Sequence, residues 1–242
     1  RSVAIALSDL AACGASPSWF TLALTVESIQ EEWIKDFCKG LQSVCDEFRI
    51  PLVGGDTTKG PLSITVQVMG YCEEGCSITR KGAKAGDGIY VSGLIGSASK
   101  GLDDLKKGLE GTDDILTFTR PQARIELGKN LVGIATSAID ISDGLVQDLG
   151  HICSQSNLGC EVFLNKVPTK KNIPLTHKSI NSGDDYEICF TANGLKEQII
   201  KSVSEELGIP ITKIGEMTEK KFIKVIDSEG KDIEVIAGYD HF

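Results

Sequence analysis

The sequence is poor in histidine, in positive charge and in long apolar runs, and each shortage excludes a class of protein. Three histidines and no Ser-His-Asp arrangement argue against histidine-based nucleophilic catalysis. The formal net charge of −9 argues against a nucleic-acid surface. No apolar run approaches the ~20 residues that span a bilayer, and no signal-peptide pattern is present. We therefore expect a cytoplasmic protein without membrane or nucleic-acid partners.

What remains is an ordinary globular composition. The chain has 242 residues, of which 41% are hydrophobic and 24% are charged, which suits one large domain or two small ones. It starts with Arg1 and runs at once into an apolar segment, so we expect further residues upstream. If the ligands are phosphates, local cations must overcome the acidic balance of the whole chain.

Cysteine is well represented, with eight copies. They are scattered, several fall in apolar helical or strand-like patterns, and a chain of this size does not need disulfides to hold its fold. Cys72 and Cys76 are close in sequence, but no second pair or histidine cluster completes a zinc site. We expect reduced thiols. The eight are Cys13, Cys38, Cys45, Cys72, Cys76, Cys153, Cys160 and Cys189.

The most informative stretch is 138–145, Ala-Ile-Asp-Ile-Ser-Asp-Gly-Leu. In an extended segment Asp140 and Ser142 share one face, because strand side chains alternate. Asp143-Gly144 ends the strand, and helical spacing resumes at Leu145. Acids at the carboxyl end of a strand, facing a helix start, suit Mg²⁺. On this stretch alone, a plain N-cap role for Ser142 or Asp143 is equally compatible.

Two further polar segments carry possible phosphate chemistry. Residues 54–61, Gly-Gly-Asp-Thr-Thr-Lys-Gly-Pro, could be a simple hairpin loop. They could also let backbone N–H groups approach a phosphate, with Asp56 holding a metal and Lys59 adding charge. In residues 79–87, Arg80 suits a nucleotide phosphate as a planar bidentate donor, although such cations are usually only solvated. Residues 93–101 lack the Gly-Lys-Ser/Thr ending of a P-loop.

The remaining pattern predicts α+β, or mixed α/β, architecture. A helix is predicted near the amino terminus, with Asp9 on its exposed side. Ser28 and Glu31 form a capping-box pattern before an amphipathic helix that reaches about residue 48. Arg120-Pro121 predicts another helix start. The polar connector at 71–77 is the expected domain boundary, which separates residues 1–76 from residues 77–242.

Six motifs together resemble the thiamine-monophosphate kinase family, within the superfamily of aminoimidazole ribonucleotide synthetase and selenophosphate synthetase. Each motif is weak alone, but their common order along nearly the whole chain is specific. They are Leu7–Ala11, Gly54–Thr58, Thr79–Ala83, Ile139–Leu145, Ser182–Glu187 and the terminal Gly238–Phe242.

The resemblance implies a two-domain α+β kinase fold whose amino-terminal domain is incomplete here, because the family has an upstream Gly-Asp-Asp-Ala segment. It implies ATP-dependent phosphorylation of thiamine monophosphate to thiamine diphosphate in thiamine diphosphate biosynthesis, by a magnesium-dependent homodimeric transferase. In the roles the family gives them, Asp140, Asp143 and Asp56 are catalytic. Asp9 joins these three as a Mg²⁺ ligand, and Gly55, Asp56, Arg80 and Ser142 bind ATP.

For the thiamine substrate, the resemblance implies a contact from Asp184, where the family commonly has Glu. The family's stacking aromatic aligns near Ile236, so Tyr239 is the substitute we predict. Two alternatives stay open. One is another ATP-dependent enzyme of the same superfamily, and the other is a truncated remnant that binds nucleotide or dimerises without turnover.

Overall fold

In the computed structural model, which describes residues 1–171 and 173–233, the strands form two separate sheets. The first sheet has three strands in the order β2-β1-β3. β1 runs parallel to β2, across the connecting helix, and antiparallel to β3. Its strands are β1 (Ser16–Val26), β2 (Leu52–Lys59) and β3 (Ser63–Tyr71).

The second sheet has seven strands in the order β10-β9-β6-β8-β4-β7-β5. Most of its pairings are antiparallel, whereas β6 and β9 are parallel, so the predicted α+β class with mixed pairing is confirmed. β5 lies at one edge of this sheet, where it pairs with β7 alone. The strands are β4 (Gly88–Ser92), β5 (Ser137–Asp140), β6 (Gly159–Phe163), β7 (Ile188–Ala192), β8 (Ile211–Thr218), β9 (Ile223–Ile226) and β10 (Asp232–Ile233).

Helices cover both faces of the seven-stranded sheet. Ile89 and Val91 of β4 belong to one apolar cluster, and Tyr90 between them belongs to another, because successive strand residues face opposite sides. The helices are α1 (Ser2–Ala12), α2 (Glu31–Phe48), α3 (Ser97–Lys106), α4 (Asp113–Thr119), α5 (Ile125–Leu131), α6 (Leu145–Ser156), α7 (His177–Ile180) and α8 (Glu197–Leu207).

α1 connects the two sheets. Its buried Leu7 and Ala11 belong to the same apolar cluster as Phe20 of β1 and Phe190 of β7. The helix also contacts β3, β5 and α5. This packing leaves Asp9 on the exposed side of α1, as predicted, and fixes it relative to the end of β5.

Three local predictions were wrong. The capping box at Ser28 does not form, because α2 begins at Glu31 with Gln30 as an N-cap that makes no side-chain hydrogen bond. Residues 54–58 are not a loop, because pairing with β1 supplies their backbone partners and keeps them in β2. Arg120-Pro121 does not start a helix, since α4 ends at Thr119 and α5 begins at Ile125.

Two other expectations concern the chain as a whole. All eight thiols are free, as predicted. Among the described residues, none of the helices combines the length and the apolar character needed to cross a bilayer.

Candidate active site

A cavity of about 450 Å³ gathers side chains from distant parts of the sequence. Its polar lining includes Asp9 of α1, Arg80 of the loop before β4, Asp140 at the end of β5, Ser142 just beyond it, and Tyr186. Residues of β3 close the remaining wall. We call this space, defined by those five residues, the acidic cavity.

Backbone hydrogen bonds hold the Arg80 loop beside the two acids. The Ile78 N–H donates to the Cys13 carbonyl just after α1, at 3.0 Å. The Ala138 N–H of β5 donates to the Thr79 carbonyl, at 3.1 Å. Residues 78 and 79 are therefore held between the end of α1 and the edge strand β5, and Arg80 is the next residue.

The two carboxylates of the acidic cavity repel each other. Burial, together with the negative charge of the neighbouring Asp9, raises the pKa of Asp140 to about 6. Burial also raises the pKa of the Asp9 carboxyl, whereas the positive charge of Arg80 opposes that rise. The cavity thus concentrates negative charge that one guanidinium only partly offsets.

This donor set fits a magnesium ion. Mg²⁺ binds oxygen ligands and is often held by one or two carboxylates together with substrate phosphates and waters. Asp9 and Asp140 supply two carboxylates whose mutual repulsion a divalent cation would relieve, and Ser142 adds a hydroxyl. Within residues 1–171 and 173–233, no group of three or more acidic, histidine or cysteine side chains is arranged to hold a metal.

A second segment, residues 183–187, closes the cavity by pairing with the turn after β5. The Asp184 N–H donates to the Ser142 carbonyl, and the Tyr186 N–H donates to the Ile141 carbonyl, both at 2.8 Å. The backbone of this segment is unusual, since Gly183, Asp184 and Tyr186 have φ angles of 74°, 65° and 50°. Left-handed φ at non-glycine residues costs conformational energy and is often found at functional sites.

Asp184, the predicted substrate contact, lies in this strained segment. Its carboxylate forms an ion pair with the Arg1 guanidinium and accepts a hydrogen bond from the Tyr186 hydroxyl at 3.2 Å. Arg1 also lies over the Phe118 ring, 4.2 Å from its centroid. Tyr239, the other predicted substrate residue, lies outside the described residues.

Gly55 and Asp56 lie away from the acidic cavity, on the exposed strand β2. The Asp56 carboxylate accepts the N–H of Thr57 at 2.8 Å. Gly55 has a positive φ of 153°, and a Cβ there would approach the Leu22 carbonyl oxygen to 1.9 Å. Glycine is thus required at position 55 by the close approach of β1, whatever its relation to a nucleotide.

Asp143 follows Ser142 but does not line the acidic cavity. Its backbone N–H donates to the Asp148 carboxylate at 3.0 Å. Asp148 is only 2% exposed, and burial raises its pKa to about 6. No sequence pattern singles out Asp148, because an acid in the first turn of a helix is common and gives no signal of its own.

A larger cavity, of about 970 Å³, lies between α2 and the α4 region and is mainly apolar. On its wall the buried Glu187 accepts hydrogen bonds from Arg124 Nε at 2.8 Å and from Ser92 Oγ at 2.5 Å. No sequence pattern predicts the pairing of Arg124 with Glu187, because the two residues are 63 positions apart. We assign the candidate site to the smaller cavity, where two of the predicted acids converge with the predicted cation and hydroxyl.

Comparison with known proteins identifies the relatives of this chain. Two family models match it: AIR synthase related protein, N-terminal domain, over residues 1–72, and AIR synthase related protein, C-terminal domain, over residues 84–228. The thiamine-monophosphate kinase of Haemophilus influenzae is 38% identical over 260 residues, which cover 100% of this chain and 79% of that protein.

Solved structures agree. The crystal structure of thiamine-monophosphate kinase from Stenotrophomonas maltophilia K279a matches with a TM-score of 0.89 and 36% identity, covering 96% of this chain and 78% of that one. AaThiL, complexed with AMPPCP and TMP, matches with a TM-score of 0.84 and 27% identity, covering 100% of this chain and 80% of that one. Sequence and structure lead to the same relatives, and the chain therefore belongs to the thiamine-monophosphate kinase family.

Proposed function

We propose that this protein transfers the γ-phosphoryl group of ATP to the phosphate of thiamine monophosphate, forming thiamine diphosphate and ADP. The observation that carries the proposal is the convergence of Asp9, Arg80, Asp140 and Ser142 in one cavity. The relatives named as thiamine-monophosphate kinases, and the AaThiL complex with AMPPCP and TMP, support the choice of substrates.

The acceptor needs no general base. The second pKa of a phosphate monoester is about 6, so the acceptor is already mostly a dianion at pH 7. One of its oxygens attacks the γ-phosphorus, and the bond from that phosphorus to the β–γ bridging oxygen breaks. The task of the protein is to bring two polyanions together in line. We therefore expect direct transfer without a phosphoenzyme.

In this mechanism the side chains of the acidic cavity bind and orient phosphates. Arg80 donates from its guanidinium to phosphate oxygens of ATP, and the Ser142 hydroxyl donates to the same group. Gly55 and Asp56 lie on β2 outside the acidic cavity of this chain, and in this proposal they reach the nucleotide site of a second copy. Asp184 contacts the thiamine substrate, with Tyr239 as the proposed stacking partner.

Magnesium is part of the proposal. Asp9 and Asp140 would hold it, and Asp56 and Asp143 are the further ligands that we propose. When bound, the ion neutralises phosphate charge and so lowers the repulsion between donor and acceptor. Without it, the clustered carboxylates would repel both substrates.

We also propose a cytoplasmic homodimer with two domains, residues 1–76 and 77–242. The amino-terminal domain would pair with that of a second copy. Large apolar side chains in this region support the pairing, since Leu52, Val53 and Leu62 are 42%, 57% and 60% exposed. The free thiols support a reducing compartment.

The test is formation of thiamine diphosphate from Mg-ATP and thiamine monophosphate, measured by chromatography. Amide, formate and selenide substrates, supplied in parallel, address the other enzymes of the superfamily. We expect product only with thiamine monophosphate, and no radiolabelled phosphoenzyme after a quench. Turnover with another substrate class, or Mg-ATP binding without any turnover, would contradict the proposal.

A further inference from the structure

The turn between β5 and α6 obtains its hydrogen bonds in an unusual way. Gly144 is the N-cap of α6 and has no side chain to accept the free N–H groups of the first turn. Two buried side chains take its place. Asn181 Oδ1 accepts the N–H groups of Val146 and Gln147, at 3.0 and 3.3 Å.

Asp148 supplies the other acceptor. Its Oδ2 atom accepts the N–H groups of Ser142, Asp143 and Gly144, at 2.9, 3.0 and 3.1 Å. Three successive N–H groups converging at a helix start form an anion-binding concavity, which in many nucleotide-binding proteins holds a phosphate. Here a carboxylate of the same helix fills it. Substrate phosphates therefore do not have these N–H groups available.

The filled concavity has a direct consequence for the acidic cavity. Three hydrogen bonds to one buried atom fix the backbone of residues 142–144, and this backbone places Ser142 beside Asp140. Gly144 cannot carry a side chain, because a Cβ there would lie 2.5 Å from Asn181 Oδ1.

We propose that Asp148 is a positioning residue, which holds the turn of Ser142 and Asp143 in the shape that binds Mg-ATP by occupying the N–H concavity at the start of α6. Asp148 itself does not line the acidic cavity and touches no substrate in this scheme. This inference rests on the proposed function in one respect, since the proposed function names Mg-ATP as the ligand.

The experiment compares Asp148→Ala and Asp148→Asn with a matched pair, Asp87→Ala and Asp87→Asn. Asp87 is likewise buried, at 1% exposed, and accepts the Lys84 N–H at 2.9 Å and the Thr136 hydroxyl at 2.7 Å. It does not line the acidic cavity. Two quantities are measured: amide hydrogen exchange at residues 142–144, and Mg-ATP affinity by titration calorimetry.

We expect Asp148→Ala to accelerate exchange at these amides and to weaken Mg-ATP binding by about 10- to 100-fold, as is typical when the partner of a metal ligand is lost. Asp148→Asn retains an oxygen acceptor and should restore most of the affinity. The Asp87 variants should lower the melting temperature without changing the affinity. If Asp148→Ala does not fold, Asp148→Asn is compared with Asp87→Asn. Of these two variants, only Asp148→Asn should show a partial loss of Mg-ATP affinity.

Two outcomes would overturn the inference. One is Mg-ATP affinity that is unchanged in Asp148→Ala, or lowered equally by the Asp87 variants. The other needs no variant: in the wild-type chain, the amides of 142–144 exchange as fast as those of the exposed turn 73–75. If the wild type binds Mg-ATP and the variants differ as expected, but no thiamine monophosphate is phosphorylated, the proposed function fails and the role of Asp148 stands.

Discussion

The two sheets differ in how far the rest of the chain covers them. Every residue of β2 is exposed, whereas every residue of β4, β5 and β7 is buried. Acids of the proposed site occur in both settings, since Asp140 ends a buried strand and Asp56 lies on an exposed one. Packing within this chain therefore determines the position of Asp140, while a second copy is the partner we propose for the β2 region.

The largest expected effect tests the buried side of this comparison. Replacing Asp140 by Asn should lower kcat/KM for thiamine monophosphate phosphorylation by more than roughly 100-fold, because losing a direct ligand costs more than losing an outer partner. Circular dichroism should show an intact fold. Replacing Asp56 by Asn should also lower activity, but should leave the free energy of unfolding unchanged. Full activity in either variant would remove that residue from the proposed site.

A second pair of variants compares the apolar groups of the two regions. Leu149→Ala in α6 removes a fully buried side chain and should lower the free energy of unfolding by about 2–5 kcal/mol. Val53→Ala on β2 should change it by less than ~0.5 kcal/mol within one chain. Urea titration measures both. Sedimentation should then show weaker self-association of Val53→Ala, and equal association of wild type and variant would argue against pairing through β2.

The pH dependence of stability should come from the buried acids. Burial raises the pKa of Asp140 to about 6 and that of Asp185 to about 7, above the usual value near 3.9. Between about pH 4 and pH 7 the folded chain thus binds more protons than the unfolded chain, so the free energy of unfolding falls as pH rises.

Removing the Asp140 charge should make the free energy of unfolding fall less as pH rises. In the absence of metal, Asp140→Asn should stabilise the protein at pH 8 by on the order of 3 kcal/mol, since the pKa of Asp140 is raised by about two units and each unit corresponds to about 1.4 kcal/mol. Urea titrations in EDTA at pH 5 and pH 8 measure the effect. Asp56→Asn is the control and should keep the wild-type slope. The same slope in wild type and Asp140→Asn would show that the buried carboxyl does not titrate as described.

The smallest expected effect concerns the cation of the acidic cavity. Arg80→Lys keeps the charge but loses bidentate hydrogen bonding, so KM for ATP should rise about tenfold with a smaller change in kcat. Lys81→Ala is the control, since the neighbouring exposed Lys81 does not line the cavity. Steady-state kinetics at varied ATP measures both. An equal rise of KM in the two variants would mean that Arg80 acts only through the general charge of its loop.

Sequence patterns predicted correctly those features that depend only on the periodicity of side chains along one strand or helix. Alternation predicted that Asp140 and Ser142 share a face, and both line the acidic cavity. Helical spacing placed Asp9 on the exposed side of α1, which is confirmed. The predictions failed where a distant partner intervened: β1 keeps residues 54–58 extended, although their Gly-Gly-Asp pattern is common in turns.

The sequence by itself determined the family and the α+β class, and it predicted the candidate residues of the chemistry, because side-chain periodicity and motif order are local properties. Only the tertiary structure decided which of those residues meet. α1 brings Asp9 against the end of β5, hydrogen bonds to Cys13 and Ala138 bring the Arg80 loop there, and β2 keeps Asp56 apart. The same holds for Asp148, whose acceptor role exists only once three N–H groups converge on it, since a hydrogen bond depends on distances that no linear pattern contains.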